Sequence, residues 1–347
     1  MSLRSTFRFV MMVGAVCAVP GAAQEKLGDL VAAGGYDWII GTWEATTEDG
    51  QTARSSFTWA LDKYVVCNDL QIAGFRYQGL IMSPPEGGDA FDQGADTGGG
   101  VWKGTWSSEG DGLVHRVEHT SPDGTARKGD IVYNKVDNDT VTIAIHAVEE
   151  SGNRSAEPWN KMTYKRRQGP AGPVRAAAET TGRSTDYQTL GDRISEGGYE
   201  WLIGKWIGNA NDRTYELEYR SILDQHAGSV SMKMGDFAYL GLVTYTPSRQ
   251  EVVEVGADTL GRTWRMVWEQ DGSGLVNQSE VTKPDGQVQK LQHVYTKIDN
   301  DAFTAKLYGF AADGSRTAEP LEQVTFKRQK PAPQAKQDGG DESGVGP

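Results

Sequence analysis

The sequence predicts an all-β chain, folded as two tandem antiparallel up-and-down β-barrels of about ten strands each, each preceded by a short helix. Three observations lead there. One opening phrase occurs twice, as Gly34-Gly35-Tyr36-Asp37-Trp38-Ile39-Ile40-Gly41-Thr42-Trp43 and as Gly197-Gly198-Tyr199-Glu200-Trp201-Leu202-Ile203-Gly204-Lys205-Trp206. The chain that follows repeats with it at an offset near 162 positions. Within each copy, short runs of period-two hydrophobicity alternate with Gly, Asn and Asp turn signals.

The first element is an export signal. Arg4 and Arg8 precede an apolar run from Phe9 to Val19, and Gly21-Ala22-Ala23 supplies small residues before Gln24. This reads as a secretory signal peptide cleaved near Ala23, too short for a membrane anchor of roughly 20 apolar residues. No other apolar stretch is long enough to cross a bilayer, so a periplasmic or extracellular bacterial protein is expected. Cys17 leaves with the signal and Cys67 stays alone, so the folded part has no internal disulfide and relies on its core. Without Arg4 and Arg8, 33 basic residues face 47 acidic ones, a formal charge of −14. That balance argues against nucleic acid or an anionic membrane as main partner.

The repeat covers a whole domain and is not a short-period solenoid. Gly94-Ala95-Asp96-Thr97 matches Gly256-Ala257-Asp258-Thr259, and Trp102 with Trp106 matches Trp264 with Trp268. Pro122-Asp123-Gly124 and Asp137-Asn138-Asp139 recur as Pro284-Asp285-Gly286 and Asp299-Asn300-Asp301. Helical leads are expected around Glu25 to Ala33 and around Leu190 to Glu196. The first copy should then hold strands near 38–46, 52–61, 64–73, 75–82, 90–95, 100–108, 113–121, 126–136, 140–149 and 157–167. Tight turns between consecutive strands imply a meander, and closing it leaves no exposed edge. These readings divide the chain into a signal peptide (1–23), a first barrel (24–167), a flexible linker (168–186), a second barrel (187–329) and a disordered polar tail (330–347).

A Gly-x-Trp at the start of the first strand, after a short helical lead and before a β-meander, resembles the calycin group: lipocalins, fatty-acid-binding proteins and nitrobindin-like barrels. The residues that carry it are Gly41-Thr42-Trp43 and Gly204-Lys205-Trp206. The run from Asp37 to Glu44 is most similar to uncharacterised exported bacterial lipocalin-like domains. The resemblance implies that Trp43 and Trp206 plug the closed barrel ends, each covered by a basic residue of the last strand. Arg166 and Arg328 are the candidates, through a cation–π contact of about 0.5–2 kcal/mol. It also implies binding of a small apolar or aromatic molecule in the lumen. Haem, as in nitrobindin, needs an axial histidine near the C-terminal end of the barrel, and neither Pro158 to Arg167 nor Glu319 to Gln329 contains one.

Residue chemistry adds little catalysis to this. None of the five histidines repeats at the offset, so no site essential to both copies rests on histidine. His115 and His119 share a strand face about 13 Å apart at ~3.3 Å per residue, too far to hold one zinc. No nucleophile elbow or phosphate loop is present. Trp102 with Trp106, and Trp264 with Trp268, point to one face; they either fill the core or line a pocket for a flat ligand. Glu118 and Glu280 lie in a lumen or on a solvated outer face. Arg154, Glu157 and Pro158 read as a turn held by a local ion pair. The expected function is therefore binding, without cofactor or metal, through Trp102, Trp106, Glu118, Trp264, Trp268 and Glu280. The alternatives are a lumen isomerase or cyclase built on Glu118 and Glu280, and a filled barrel serving as an interaction or structural module.

Overall fold

The structure is a computed structural model that describes residues 26–168, 187–272, 274–311 and 313–330. The signal-peptide segment, and all of the linker and tail but Gln168 and Lys330, lie outside the described residues. Helix α1 (Leu27–Ala33) and a 3-10 turn at Asp37–Ile39 lead into the first set of strands. These are β1 (Gly41–Thr46), β2 (Thr52–Ala60), β3 (Val65–Ile72), β4 (Phe75–Met82) and β5 (Ala90–Asp96). They continue as β6 (Val101–Glu109), β7 (Gly112–Thr120), β8 (Ala126–Lys135), β9 (Thr140–Ala147) and β10 (Asn160–Arg166). Each strand pairs antiparallel with its sequence neighbours, and β1 pairs with β10, so the sheet closes.

The second copy repeats this after helix α2 (Leu190–Glu196) and a 3-10 turn at Glu200–Leu202. Its strands are β11 (Gly204–Ala210), β12 (Arg213–Ile222), β13 (Ala227–Met234), β14 (Phe237–Thr246) and β15 (Glu251–Asp258). Then come β16 (Thr263–Asp271), β17 (Gly274–Thr282), β18 (Val288–Lys297), β19 (Ala302–Gly309) and β20 (Glu322–Arg328), with β11 and β20 closing the ring. Thr189 caps α2 by accepting from the Asp192 backbone N–H, while Asp192 accepts from that of Thr189. No helix among the described residues is long and apolar enough to cross a membrane.

The strand expected from residue 38 starts at Gly41 instead, because the three residues before Ile40 turn under the barrel. Trp38 and Ile39 are buried by that turn, and the Ile39 carbonyl accepts the Trp43 indole N–H at 2.8 Å. The Arg166 guanidinium lies 4.1 Å from the Trp43 ring centroid and donates to the Ile40 and Trp38 carbonyls. Arg328 repeats this over Trp206 at 4.1 Å, donating to Ile203 and Trp201. Gly41 and Gly204 have φ of 131° and 136°, and a Cβ at either would collide with the arginine Nη1. The glycine of Gly-x-Trp thus makes room for the guanidinium that covers the tryptophan.

The two barrels pack side by side through corresponding strands. On β4 and β5, Tyr77, Asp92 and Asp96 face the lumen while Leu80, Met82 and Ala95 face outward and are buried. Leu80, Met82 and Val65 form one apolar cluster with Leu242, Val253, Val255 and Ala257 of the second barrel. Inside this seam the Gln93 amide donates to the Thr244 hydroxyl at 3.0 Å. At its edge, three consecutive left-handed residues, Leu223, Asp224 and Gln225 (φ 51°, 53° and 71°), make a corner. Non-glycine residues adopt that conformation only when surrounding contacts hold it. Here Leu223 is buried against Ala95 and Ala227, and Asp224 pairs with Arg76 of the first barrel at 2.5 Å.

Candidate functional site

Barrel register decides which side chains reach the lumen. Trp102 lies opposite His119, Gly104 opposite Val117 and Trp106 opposite His115, all on the inner face. The intervening residues point out. Glu118 and Glu280 are therefore corrected from possible lumen carboxylates to outer-face groups: each is about half exposed and sits beside a lysine, Lys128 at 3.7 Å and Lys290 at 3.5 Å. A lumen reaction built on those two residues loses its acid and base.

Acidic residues occupy the interior: Asp92, which carries no signal in the sequence, and Asp96, which the repeat marks. In the first barrel Asp92, with a fully buried side chain, accepts from the Tyr77 hydroxyl at 3.0 Å and lies 2.7 Å from His115 Nε2. The His115 ring stacks on Trp106, with centroids 4.2 Å apart, and Trp106 stacks in turn on Tyr133. Four residues along, Asp96 accepts the Trp102 indole N–H at 2.6 Å and lies 3.3 Å from His119. Burial raises the Asp96 carboxyl, but His119, Trp102 and the backbone N–H groups of Gly98 and Gly100 outweigh it and hold it below its ordinary value. The two histidines thus share a face, each with its own carboxylate. Among the described residues no group of three or more His, Cys, Asp or Glu could hold a metal ion.

The second barrel solves the same position differently. Glu254 replaces Asp92, and its extra methylene lets it accept from both Tyr239 (2.7 Å) and Trp268 (3.0 Å). Asn277 replaces His115, and the room this frees is taken by Met266, whose counterpart is Gly104; a Cβ at Gly104 would meet the Asp92 carboxylate. Burial pushes the Glu254 carboxyl up to about 7, and it pushes His293, beside Ser279, down to about 4. Trp264 donates to Asp258, which also accepts from Arg262.

Trp268 also borders a cavity of about 120 Å³ beneath helix α2. Its surface is mainly apolar, from Ile194 and Leu202 of the lead-in segment and Val243, Val252 and Leu275 of the strands, and Arg193, Arg220, Gln250, Glu269 and Gln270 also line it. Gly228 lines it as well, and a Cβ there would find ordinary contacts at 3.4–3.6 Å, so the glycine leaves space that no tight packing demands. The first copy has Val66 at this place and Trp59 where the second has Ser221; Val66 is buried and Trp59 packs on the core. Of the tryptophans singled out in the sequence, then, Trp268 alone borders this cavity. Trp106 is core, and Trp102 and Trp264 are half-buried indoles held by Asp96 and Asp258.

Arg154 is also corrected. It reaches across to Asp130 at 3.1 Å and to Glu109, rather than pairing with Glu157 in its own turn. Asp130 is fully buried on the outer face and takes a second, two-pronged contact from Arg116. Arg316, the counterpart of Arg154, lies over the Tyr308 ring and donates to Gln292, the counterpart of Asp130.

No family model matches the chain, and no curated protein matches it. Among solved structures, a protein of unknown function from the DUF3598 family of Nostoc punctiforme PCC 73102 is similar at 13% identity. The match covers 84% of this chain and 97% of that one, with a TM-score of 0.22.

Proposed function

We propose that this chain is an exported, non-catalytic binding protein of calycin-like type, whose second barrel takes a small apolar or aromatic molecule beneath helix α2. One observation carries the reading: a mainly apolar cavity of about 120 Å³ remains between α2 and Trp268, opened by Gly228 where the other copy places Val66. An apolar cavity of about 150 Å³ in another protein admits benzene, so this volume suits a single six-membered ring. The short helix supplies two apolar walls and a rim residue, Arg193. The signal-peptide pattern of the first 23 residues supports an extracytoplasmic place for this role.

The test uses benzene and phenol with the full mature chain, by calorimetry and by the thermal shift of the second barrel. Gly228→Val, which borrows the first copy's residue, should fill the cavity without distorting the strand. Saturable binding of one ring per chain, lost in Gly228→Val at an unchanged or higher melting temperature, is the expected result. Absence of binding to the unmodified chain, or binding indifferent to Gly228→Val, would overturn the reading.

A further inference from the structure

A second cavity, larger and chemically different, lies where the barrels meet. It is an open groove of about 370 Å³, within the ordinary range for small-molecule sites of roughly 300–1,000 Å³. Its floor is the outer face of β2, β3 and β4; its far wall is Ile222 and Leu223 of the second barrel. Neither barrel alone makes it. The left-handed corner that presents Leu223 recurs in the first copy at Leu61, Asp62 and Lys63 (φ 49°, 51° and 69°), so it belongs to each barrel; the Asp224–Arg76 pair lies across the seam beside it.

The strand register arranges the floor in two adjacent rows. Arg54, Gln71 and Arg76 lie side by side in one, and Ser56, Asp69 and Gln78 in the next. Neighbouring rows on one face stand two residues apart along a strand, about 6.6 Å at ~3.3 Å per residue. One row holds two guanidiniums, Arg54 paired with Glu44 and Arg76 with Asp224, and among the described residues the buried Arg54 Nη1 has no hydrogen-bond partner; the other row carries a carboxylate. Among the described residues Asp69 has no basic partner: it accepts from the neutral Gln78 amide at 2.8 Å, and burial holds its carboxyl above the ordinary value. A carboxylate in that setting gains most from a ligand ammonium. The equivalent floor of the second barrel has Glu216, Ser231, Leu240 and Ala238 in place of Arg54, Asp69, Gln78 and Arg76, so the charge pattern belongs to the first copy alone.

We propose that this seam groove binds a small zwitterion, a free amino acid with an apolar side chain: its carboxylate on Arg54, whose Nη1 is unpartnered among the described residues, its ammonium on Asp69, its side chain against Ile222 and Leu223. This site is independent of the cavity beneath α2. It gives the duplication a function, since one copy supplies the polar floor and the other the apolar wall.

The probes are L-leucine and its two halves, isocaproate (no amine) and isoamylamine (no carboxylate). Calorimetry is run on the full mature chain carrying Gly228→Val, so that the α2 cavity is closed to the apolar tails. Leucine should bind at one per chain, and each half-molecule at least ~10-fold more weakly, the cost of one lost charged hydrogen-bond set. Asp69→Asn, which keeps the size of the side chain, should bring leucine down to the level of isocaproate while the melting temperature holds. Ile222→Glu, which places a charge in the wall, should weaken leucine too. No heat from leucine, equal binding of leucine and both halves, or an Asp69→Asn chain that binds leucine unchanged would each overturn the proposal, without bearing on benzene or phenol binding to the unmodified chain.

Discussion

Trp206→Ala should destabilise the second barrel by about 3–5 kcal/mol, the range for removing a fully buried tryptophan. The ring is 0% exposed, its indole N–H satisfies the Leu202 carbonyl, and Phe303 packs edge-on against it at 4.8 Å. Its removal also takes away the face on which Arg328 rests, while that guanidinium stays tied to the Ile203, Trp201 and Asn300 carbonyls. The cavity therefore cannot collapse, because the groups around it are held by bonds that survive the substitution. Gly204→Ala should act through the same contact from the other side, with a methyl group entering the space of Nη1 at a strained φ. Scanning calorimetry is the measurement: the second barrel's transition should fall by well over 10 °C in Trp206→Ala, and Trp43→Ala should do the same to the first. A loss below about 1 kcal/mol would show that the ring is not the closure of the barrel end.

That closure was anticipated through the calycin resemblance of the two Gly-x-Trp motifs. Glycine, tryptophan and the terminal arginine are local signals that recur in both copies, and the turn residues fix the strands between them to within a few positions. Ten strands per copy and the two helical leads follow from period and punctuation alone. What period cannot show is the absolute phase of a strand whose two faces look alike. Glu118 sits among His115, Val117 and His119, a stretch with polar groups on both faces, and only the pairing with β6 shows that the histidines go in and the glutamate goes out.

The seam left a trace that was readable in principle. Gly79-Leu80-Ile81-Met82 and Leu240-Gly241-Leu242-Val243-Thr244-Tyr245 abandon alternation, as a strand must when one face meets the lumen and the other meets a second barrel. The cavity beneath α2 depended on differences between the copies rather than on their likeness. Val66 against Gly228 and Trp59 against Ser221 are losses of bulk at matched positions, and they say where the second copy has stopped filling itself. Gly104 with His115, against Met266 with Asn277, is the contrary case: a loss balanced by a gain, which keeps the lumen full.

Glu254 and His293 should make the second barrel's stability depend on pH in opposite senses over nearly the same window. Glu254 has its carboxyl raised from 4.5 to about 7 by burial, against the hydrogen bonds from Tyr239 and Trp268. Its contribution is therefore fully present below pH 4.5 and is lost as pH rises through 7, by roughly 3 kcal/mol at 1.36 kcal/mol per unit. His293, lowered from 6.5 to about 4 by burial, contributes stability above pH 6.5 that is lost as pH falls through 4. Its ring keeps some solvent access where Glu254 is only 2% exposed, so the histidine's share is the smaller and the unmodified barrel gains slightly on mild acidification. Each substitution unmasks the other group. Glu254→Gln can keep both contacts, its oxygen accepting from Trp268 and its amide donating to the Tyr239 hydroxyl, so it should be the more stable chain at pH 8 and should then weaken steadily as pH falls from 6.5 to 4.5. His293→Ile, which copies Ile131 of the first barrel, should instead gain stability over that interval. Denaturant unfolding at pH 8, 6.5 and 4.5 measures both slopes. If the two variants changed in the same direction with pH, at least one of the two side chains would not be titrating as a buried group.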